Sequence, residues 1–264
     1  MKEQKLIVTK HDYKRNDSLT SLIPNVVDST LFLDSIGNKV GFYLRSLPDD
    51  VNDVLEYCNK ELRSDRVPKS TMYRRLPLGT KSKTGAWEYD TVEQESVIIG
   101  SVPAKPHQRR PFNSISQVHL KKSASAFIKG MIVLAKLSEN LIKDIMPEQY
   151  FIQKKIIEEN VLKKFRFGDL FTSSISNYNI AANYHQDNRN LKNTVNVIYS
   201  KKENASGGNL HVPDYDLVFD NVDGSMICYP AWANLHGVTP ILPTKKGGYR
   251  NSIVFYPLGG LHKE

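Results

Sequence analysis

The stretch Asn183-Tyr184-His185-Gln186-Asp187-Asn188-Arg189-Asn190 carries the most information in this chain, together with Leu235-His236-Gly237 and Tyr249-Arg250-Asn251-Ser252 further on. Residues 175 to 187 read as one strand. Its alternate positions Ile175, Asn177, Asn179, Ala181, Asn183, His185 and Asp187 share a face, because strand side chains alternate. A face rich in Asn, His and Asp is costly to bury dry and suits the wall of a polar pocket. Tyr178, Ile180, Ala182 and Tyr184 fall on the opposite face as packing residues. Two imidazoles and one carboxylate supply one face of an octahedral iron(II) site and leave three positions open. His185, Asp187 and His236 are the candidate ligands.

His-x-Asp by itself is a weak signal, arising by chance in roughly one chain in three of this composition. Its weight comes from the ordered set of residues downstream of Asp187. Ser206 to Pro213 and Ser225 to Pro230 read as consecutive strands, separated by a turn ending in Asp223-Gly224. Asn234 to Val238 and Tyr249 to Tyr256 flank Pro243-Thr244-Lys245-Lys246-Gly247-Gly248, whose glycines and charges suit a hairpin connection. Folding that hairpin about its middle predicts Arg250 nearly opposite His236. Arg250 and Ser252 then share one face by period two, with Ile253 and Phe255 on the other. Metal ligand, arginine and serine converge on one pocket, where the guanidinium offers a fork to a carboxylate.

Upstream, Lys39 to Leu44 reads as a strand after a hairpin turn at Ile36-Gly37-Asn38. Pro48-Asp49-Asp50 opens an amphipathic helix through Leu62, with the acidic pair where a helix start favours it. From Asp65 to Gln117 the pattern predicts loops carrying basic clusters at Tyr73-Arg74-Arg75 and Lys105-Pro106-His107-Gln108-Arg109-Arg110. A core-packing helix runs from about Ser123 to Ile145 on the stripe Phe127, Ile128, Met131, Leu134, Ala135, Leu141, Ile142 and Ile145. Pro147 opens a further helix through Glu158-Glu159. There is no repeat, low-complexity segment or linker. One domain over 1–264 is therefore expected, with N-terminal strands, basic loops and supporting helices in 1–166 and the catalytic core in 167–264.

Among the 264 residues 40% are hydrophobic and 24% charged, which excludes a disordered or fibrous protein. The net charge of +8 favours a polyanionic partner such as nucleic acid. Two cysteines, Cys58 and Cys228, make no disulfide framework and no CxxC metal spacing. With no apolar leader and no run long enough to span a membrane, an intracellular, soluble protein is expected, in the cytoplasm of a microbe or virus-infected cell, or in a nucleus if eukaryotic.

Over Phe171 to Tyr256 the chain resembles the oxygenases that use iron(II) and 2-oxoglutarate, and within them the TET and J-binding-protein branch. The resemblance rests on Phe171-Thr172-Ser173, Asn177-Tyr178-Asn179, His185-Gln186-Asp187, Ser206-Gly207-Gly208, Leu235-His236-Gly237-Val238-Thr239-Pro240 and Arg250-Asn251-Ser252. Asp223-Gly224-Ser225 departs from the family's usual Gly-Asp turn. The resemblance implies a mixed α/β (α+β) fold: a double-stranded β-helix (jelly-roll, cupin-like) core with N-terminal helices packed on the major sheet. It implies iron on His185, Asp187 and His236, and 2-oxoglutarate as cosubstrate with its far carboxylate on Arg250 and Ser252, with Asn179 a further cosubstrate-binding candidate. Oxygen is the third reactant. It also implies a DNA substrate, the methyl group of 5-methylcytosine or thymine, with Asn190 at the base and Arg74, Arg75, Lys105, Arg109 and Arg110 as candidates for the DNA backbone. Hydroxylation of a protein side chain or a small metabolite is the alternative expectation, and a non-catalytic jelly-roll binding module a third.

Overall fold

Asp34 closes the first hairpin: its carboxylate accepts the backbone N–H groups of Ile36 at 3.0 Å and Asn38 at 2.8 Å, and Gly37 takes φ +93°, a left-handed conformation that glycine adopts without strain. That turn joins two strands of the computed structural model, which describes residues 1–81, 83, 87–105, 107 and 110–262. In chain order the elements are β1 (Lys2–Lys5), β2 (Thr30–Leu33), β3 (Lys39–Leu44), α1 (Asp49–Arg63), β4 (Ser70–Lys81), β5 (Trp87–Val102), β6 (Ser114–Ile115), α2 (Ser125–Ile145) and α3 (Pro147–Asn160). The C-terminal half continues with β7 (Ser173–Tyr178), β8 (Ala182–His185), β9 (Asn196–Glu203), β10 (Ala205–Gly207), β11 (Leu210–Val212), β12 (Leu217–Val218), β13 (Ser225–Tyr229), β14 (His236–Val238), β15 (Ile241–Pro243) and β16 (Tyr249–Tyr256).

A large sheet runs in the order β1-β2-β3-β13-β9-β16-β7-β5-β4, with β6 beside β5; a smaller one runs β12-β11-β14-β8, and β10 pairs with β15. The chain is thus mixed α/β with a large sheet-rich core, consistent with a jelly-roll. Between the sheets, Tyr43, Ile198, Ile227 and Tyr229 of the large sheet meet Leu210, Val212 and Leu217 of the small one. On the other face, Val51, Leu55, Cys58 and Leu62 of α1 and Phe127, Met131 and Leu134 of α2 share one apolar cluster with Phe42, Val197, Tyr199, Ile253 and Phe255. The i, i+4, i+7, i+11 spacing in α1 makes that stripe. Ser138 of α2 meets the Tyr199 hydroxyl at 2.8 Å inside it.

Three expectations are corrected. Residues 175–187 do not form one strand: Asn179 turns into left-handed φ at +55°, so β7 stays in the large sheet while β8 crosses to the small one. The region after Asp65 is not loop but the long antiparallel hairpin β4–β5, whose residues Glu95–Gly100 pair with Tyr178–Ser173. Pro77 and Gly79 read as breakers, yet β4 is an edge strand, where proline costs no ladder bond, and its register shifts between Pro77 and Lys81. Lastly, His236 and Arg250 are not opposite one another in a hairpin. β14 pairs with β8, β15 with β10, and β16 lies between β9 and β7.

No helix among the described residues is long and apolar enough to cross a membrane.

Candidate active site

β8 and β14 lie antiparallel with His185 opposite His236, which brings the two imidazole rings to 4.3 Å between centroids. Asp187 follows β8 by two residues, its N–H bonded to the carbonyl of Ala231 at 3.1 Å. The ligand atoms of these three side chains all lie within 4.8 Å of one another, a possible metal site. Each ring has the same support. His185 Nδ1 lies 2.7 Å from the carbonyl of Asn183, and His236 Nδ1 lies 2.9 Å from that of Asn234. A carbonyl only accepts, so Nδ1 carries the proton and Nε2 offers its lone pair in each ring, the tautomer a metal ligand needs. Burial pushes the His236 pKa well down, which keeps that ring neutral.

The carboxylate is steered too. Asn196 Nδ2 donates to Asp187 Oδ2 at 2.9 Å, and Asn190 Nδ2 donates to the same oxygen at 3.4 Å and to Asn196 Oδ1 at 2.9 Å. Oδ1 is left facing His185 Nε2, 3.8 Å away. Sequence spacing singles out Asn190; Asn196, on β9, has no signal within the motif, because its place beside Asp187 comes from the fold.

The three residues open onto a cavity of about 630 Å³ between the two sheets, in the size range of small-molecule sites. Its large-sheet wall includes Ile175 and Asn177 of β7 and Arg250, Ser252, Val254 and Tyr256 of β16, the period-two face expected from the sequence. Ile180 and Ala182, expected as packing residues, also line it. Arg250 is only 2% exposed, its Nε has no hydrogen-bond partner, and burial alone pushes its pKa down to about 10. Among the described residues no carboxylate pairs with it. A buried guanidinium without a counter-charge is a site for an anion, since burying an unpaired charge is strongly unfavourable.

The protein holds that arginine from several sides. Asn179 donates its N–H to the Arg250 carbonyl at 2.8 Å and accepts the Arg250 N–H on Oδ1 at 3.0 Å, so Asn179 positions the backbone rather than lining the cavity. Asn59 of α1 clamps both neighbours, donating to the Tyr249 hydroxyl at 3.0 Å and accepting from Asn251 at 3.1 Å. Gly208, at φ +71°, lies against the side chain: a Cβ there would come within 3.2 Å of Arg250 Cγ. Lys202 stands across from Arg250 in the β9–β16 register, and burial together with the Arg250 charge lowers its pKa to about 8. The dicarboxylate 2-oxoglutarate fits this cationic end, and the His-Asp-His set fits iron(II).

The family model for the oxygenase domain of the 2OGFeDO superfamily, Tet_JBP, matches residues 103–258. The chain belongs to this family. As a Tet_JBP oxygenase it is an oxidoreductase that uses iron(II), 2-oxoglutarate and oxygen. Among solved structures it is similar to NgTET1 in complex with 5mC DNA, with a TM-score of 0.60 and 14% identity over 94% of this chain and 85% of that one. A 2OG-Fe(II) oxygenase family oxidoreductase from Burkholderia pseudomallei gives a TM-score of 0.43 and 14% identity over 85% of this chain and 89% of that one. No curated protein matches the chain in sequence.

Of the basic residues expected to meet DNA, Arg109 lies outside the described residues. Arg110 is bridged through its backbone to Lys105, and neither is among the residues that line the cavity.

Proposed function

We propose that this Tet_JBP oxygenase hydroxylates the methyl group of a 5-methylpyrimidine in DNA, 5-methylcytosine or thymine, while 2-oxoglutarate is decarboxylated to succinate. The reading of the chemistry rests on one observation: the His185, Asp187, His236 cluster and the unpaired Arg250 face the same cavity. The DNA substrate is supported by the family, by the fold shared with a structure bound to 5mC DNA, and by the net charge of +8. The core is read as a double-stranded β-helix with the helices packed on the large sheet as its support.

In this reading His185, Asp187 and His236 hold iron(II), which supplies the power to insert an oxygen atom from O2 into an unactivated C–H bond. Arg250 clamps the far carboxylate of 2-oxoglutarate by charge-assisted hydrogen bonds, with Ser252 beside it on the same face. Asn179 keeps the Arg250 backbone in register. The target methyl lies in the major groove of a duplex, out of reach of a cavity set between two sheets, so the base is extruded into it. Asn190, on the cavity wall, is the candidate contact to that base, and Arg109 and Arg110 are candidates for the DNA backbone.

The amide of Asn196 fixes which carboxylate oxygen of Asp187 faces the histidines. Asn196→Leu is therefore expected to weaken iron(II) binding 10–100-fold, the usual consequence of losing an outer partner of a metal ligand. Equilibrium dialysis under nitrogen measures it, and unchanged affinity would remove Asn196 from the site.

The function itself is tested by mass spectrometry of nucleosides from DNA carrying both thymine and 5-methylcytosine, incubated with protein, iron(II), 2-oxoglutarate and oxygen. A hydroxymethylated base that is absent with His185→Ala identifies the reaction and the pyrimidine. No oxidised base, with 2-oxoglutarate still bound, rejects DNA and turns the assignment to a protein side chain or metabolite.

A further inference from the structure

The N-terminal segment, which lies before the residues matched by the family model, crosses the small sheet from Asp214 beyond β11 to Tyr184 on β8 and reaches the cavity. Thr9 donates its N–H to the Asp214 carbonyl at 2.8 Å, and His11 Nε2 lies 2.9 Å from the Asp214 carboxylate. Tyr13 packs tilted against Tyr184, with 4.8 Å between ring centroids. Lys14 to Asp17 then form a β-turn, closed by the Asp17 N–H to the Lys14 carbonyl at 3.1 Å, with Asn16 in left-handed φ at +75°. That turn is bolted to the metal-site strand in both directions: Asn16 N–H to the Tyr184 carbonyl at 2.7 Å, and Tyr184 N–H to the Asp17 carbonyl at 3.0 Å. Leu19 continues onto β14, where a Cβ on Gly237, the residue after His236, would come within 2.5 Å of its Cδ1.

Arg15 sits inside this turn, and its side chain lines the catalytic cavity together with Arg189 from the loop after Asp187. The Arg189 carbonyl accepts the Gly259 N–H at 2.8 Å, which fixes that loop as well. Both arginines are solvent-exposed, and among the described residues neither has an ion-pair partner. Asp187 is the one carboxylate on the described cavity wall, and it is clustered with the two histidines. The cavity wall thus carries two exposed guanidinium groups on tethered backbone, with Asp187 the single acidic side chain among its described lining residues.

We infer that Arg15 and Arg189 form an anion-binding rim that grips the phosphodiester groups flanking the nucleotide extruded into the cavity, the N-terminal turn being a part of the substrate site. The inference rests on the DNA reading for the identity of its anion. Planar guanidinium forks match phosphate oxygens, and contacts of this kind position a strand without reading its sequence.

The test is the equilibrium binding of a labelled oligonucleotide carrying one 5-methylcytosine, by fluorescence anisotropy across a salt series with iron(II) and 2-oxoglutarate present under nitrogen. Arg15→Ala is expected to weaken binding about tenfold at low salt, and to make the slope of log affinity on log salt shallower by about one. Arg15→Lys is expected to fall between the two. A strand with neutral methylphosphonates on both sides of the target base should bind the unmutated protein at least as weakly as the natural strand binds Arg15→Ala, and should be insensitive to that substitution. Unchanged affinity and slope in Arg15→Ala overturns the rim, as does failure of the unmutated protein to bind DNA. Binding that depends on Arg15 but yields no oxidised base in air keeps the rim and rejects the proposed reaction; oxidation without dependence on Arg15 does the reverse.

Discussion

Arg250→Ala is expected to raise the KM for 2-oxoglutarate roughly 30- to 5,000-fold, the equivalent of about 2–5 kcal/mol, which is the usual consequence of truncating one partner of a buried, hydrogen-bonded charge pair. The size comes from the surroundings. The guanidinium is almost wholly buried, no described carboxylate pairs with it, and Lys202 adds positive charge beside it, so in the proposed reading a cosubstrate carboxylate supplies the counter-charge. Arg250→Lys recovers little, because an ammonium cannot make the forked contact. The same unpaired burial has an opposite effect on the free protein. Arg250→Met replaces an uncompensated buried cation with an apolar chain of similar length and is expected to raise the Tm without cosubstrate, while abolishing the further rise that 2-oxoglutarate gives the unmutated protein. Initial rates against 2-oxoglutarate and thermal scans with and without it measure both. An unaltered KM in Arg250→Ala would place the cosubstrate elsewhere.

Asp187→Ala is expected to leave the dialysed protein without bound iron and to lower product formation by more than ~100-fold, beyond the effect of losing an outer partner such as Asn196. Asp187 brings the only negative charge to the three-residue cluster; the two imidazoles are neutral donors, each with its proton committed to a carbonyl. Without it, iron(II) would have two neutral ligands in a partly buried pocket beside three arginines. Metal analysis after dialysis, together with succinate release, tests the assignment. Retention of iron and turnover by Asp187→Ala would overturn it.

Much of this site was legible because it depends on local rules. The strand alternation that puts Arg250, Ser252, Val254 and Tyr256 on the cavity and Ile253 and Phe255 in the core is fixed by backbone geometry, and the pattern of residues 249–256 displays it. The stripes of α1 and α2 likewise come from helical period. Less was legible where two local rules competed. Residues 175–187 keep a period of two on both sides of Asn179, so nothing in the alternation marks the left-handed residue at which the chain changes sheets. The hairpin β4–β5 was hidden by its proline, glycine and charges, which read as loop unless the strand is known to lie at an edge.

The order of side chains along the chain was enough to name the kind of chemistry and its candidate residues: two histidines and an aspartate for iron, and, as proposed, an arginine and a serine at strand spacing for a dicarboxylate. Donor groups and their succession need no fold to be read. Which sheet each strand joins could be seen only once the chain was folded, and with it that Arg250 faces the histidines across a cavity rather than beside them in a hairpin. Folding alone brought Asn196 to Asp187, Lys202 and Asn59 to Arg250 and its neighbours, and Arg15 to the cavity wall. These contacts come from strand register and long-range pairing, which are set by the burial of whole sheet faces and not by the residues next to each contact in the chain.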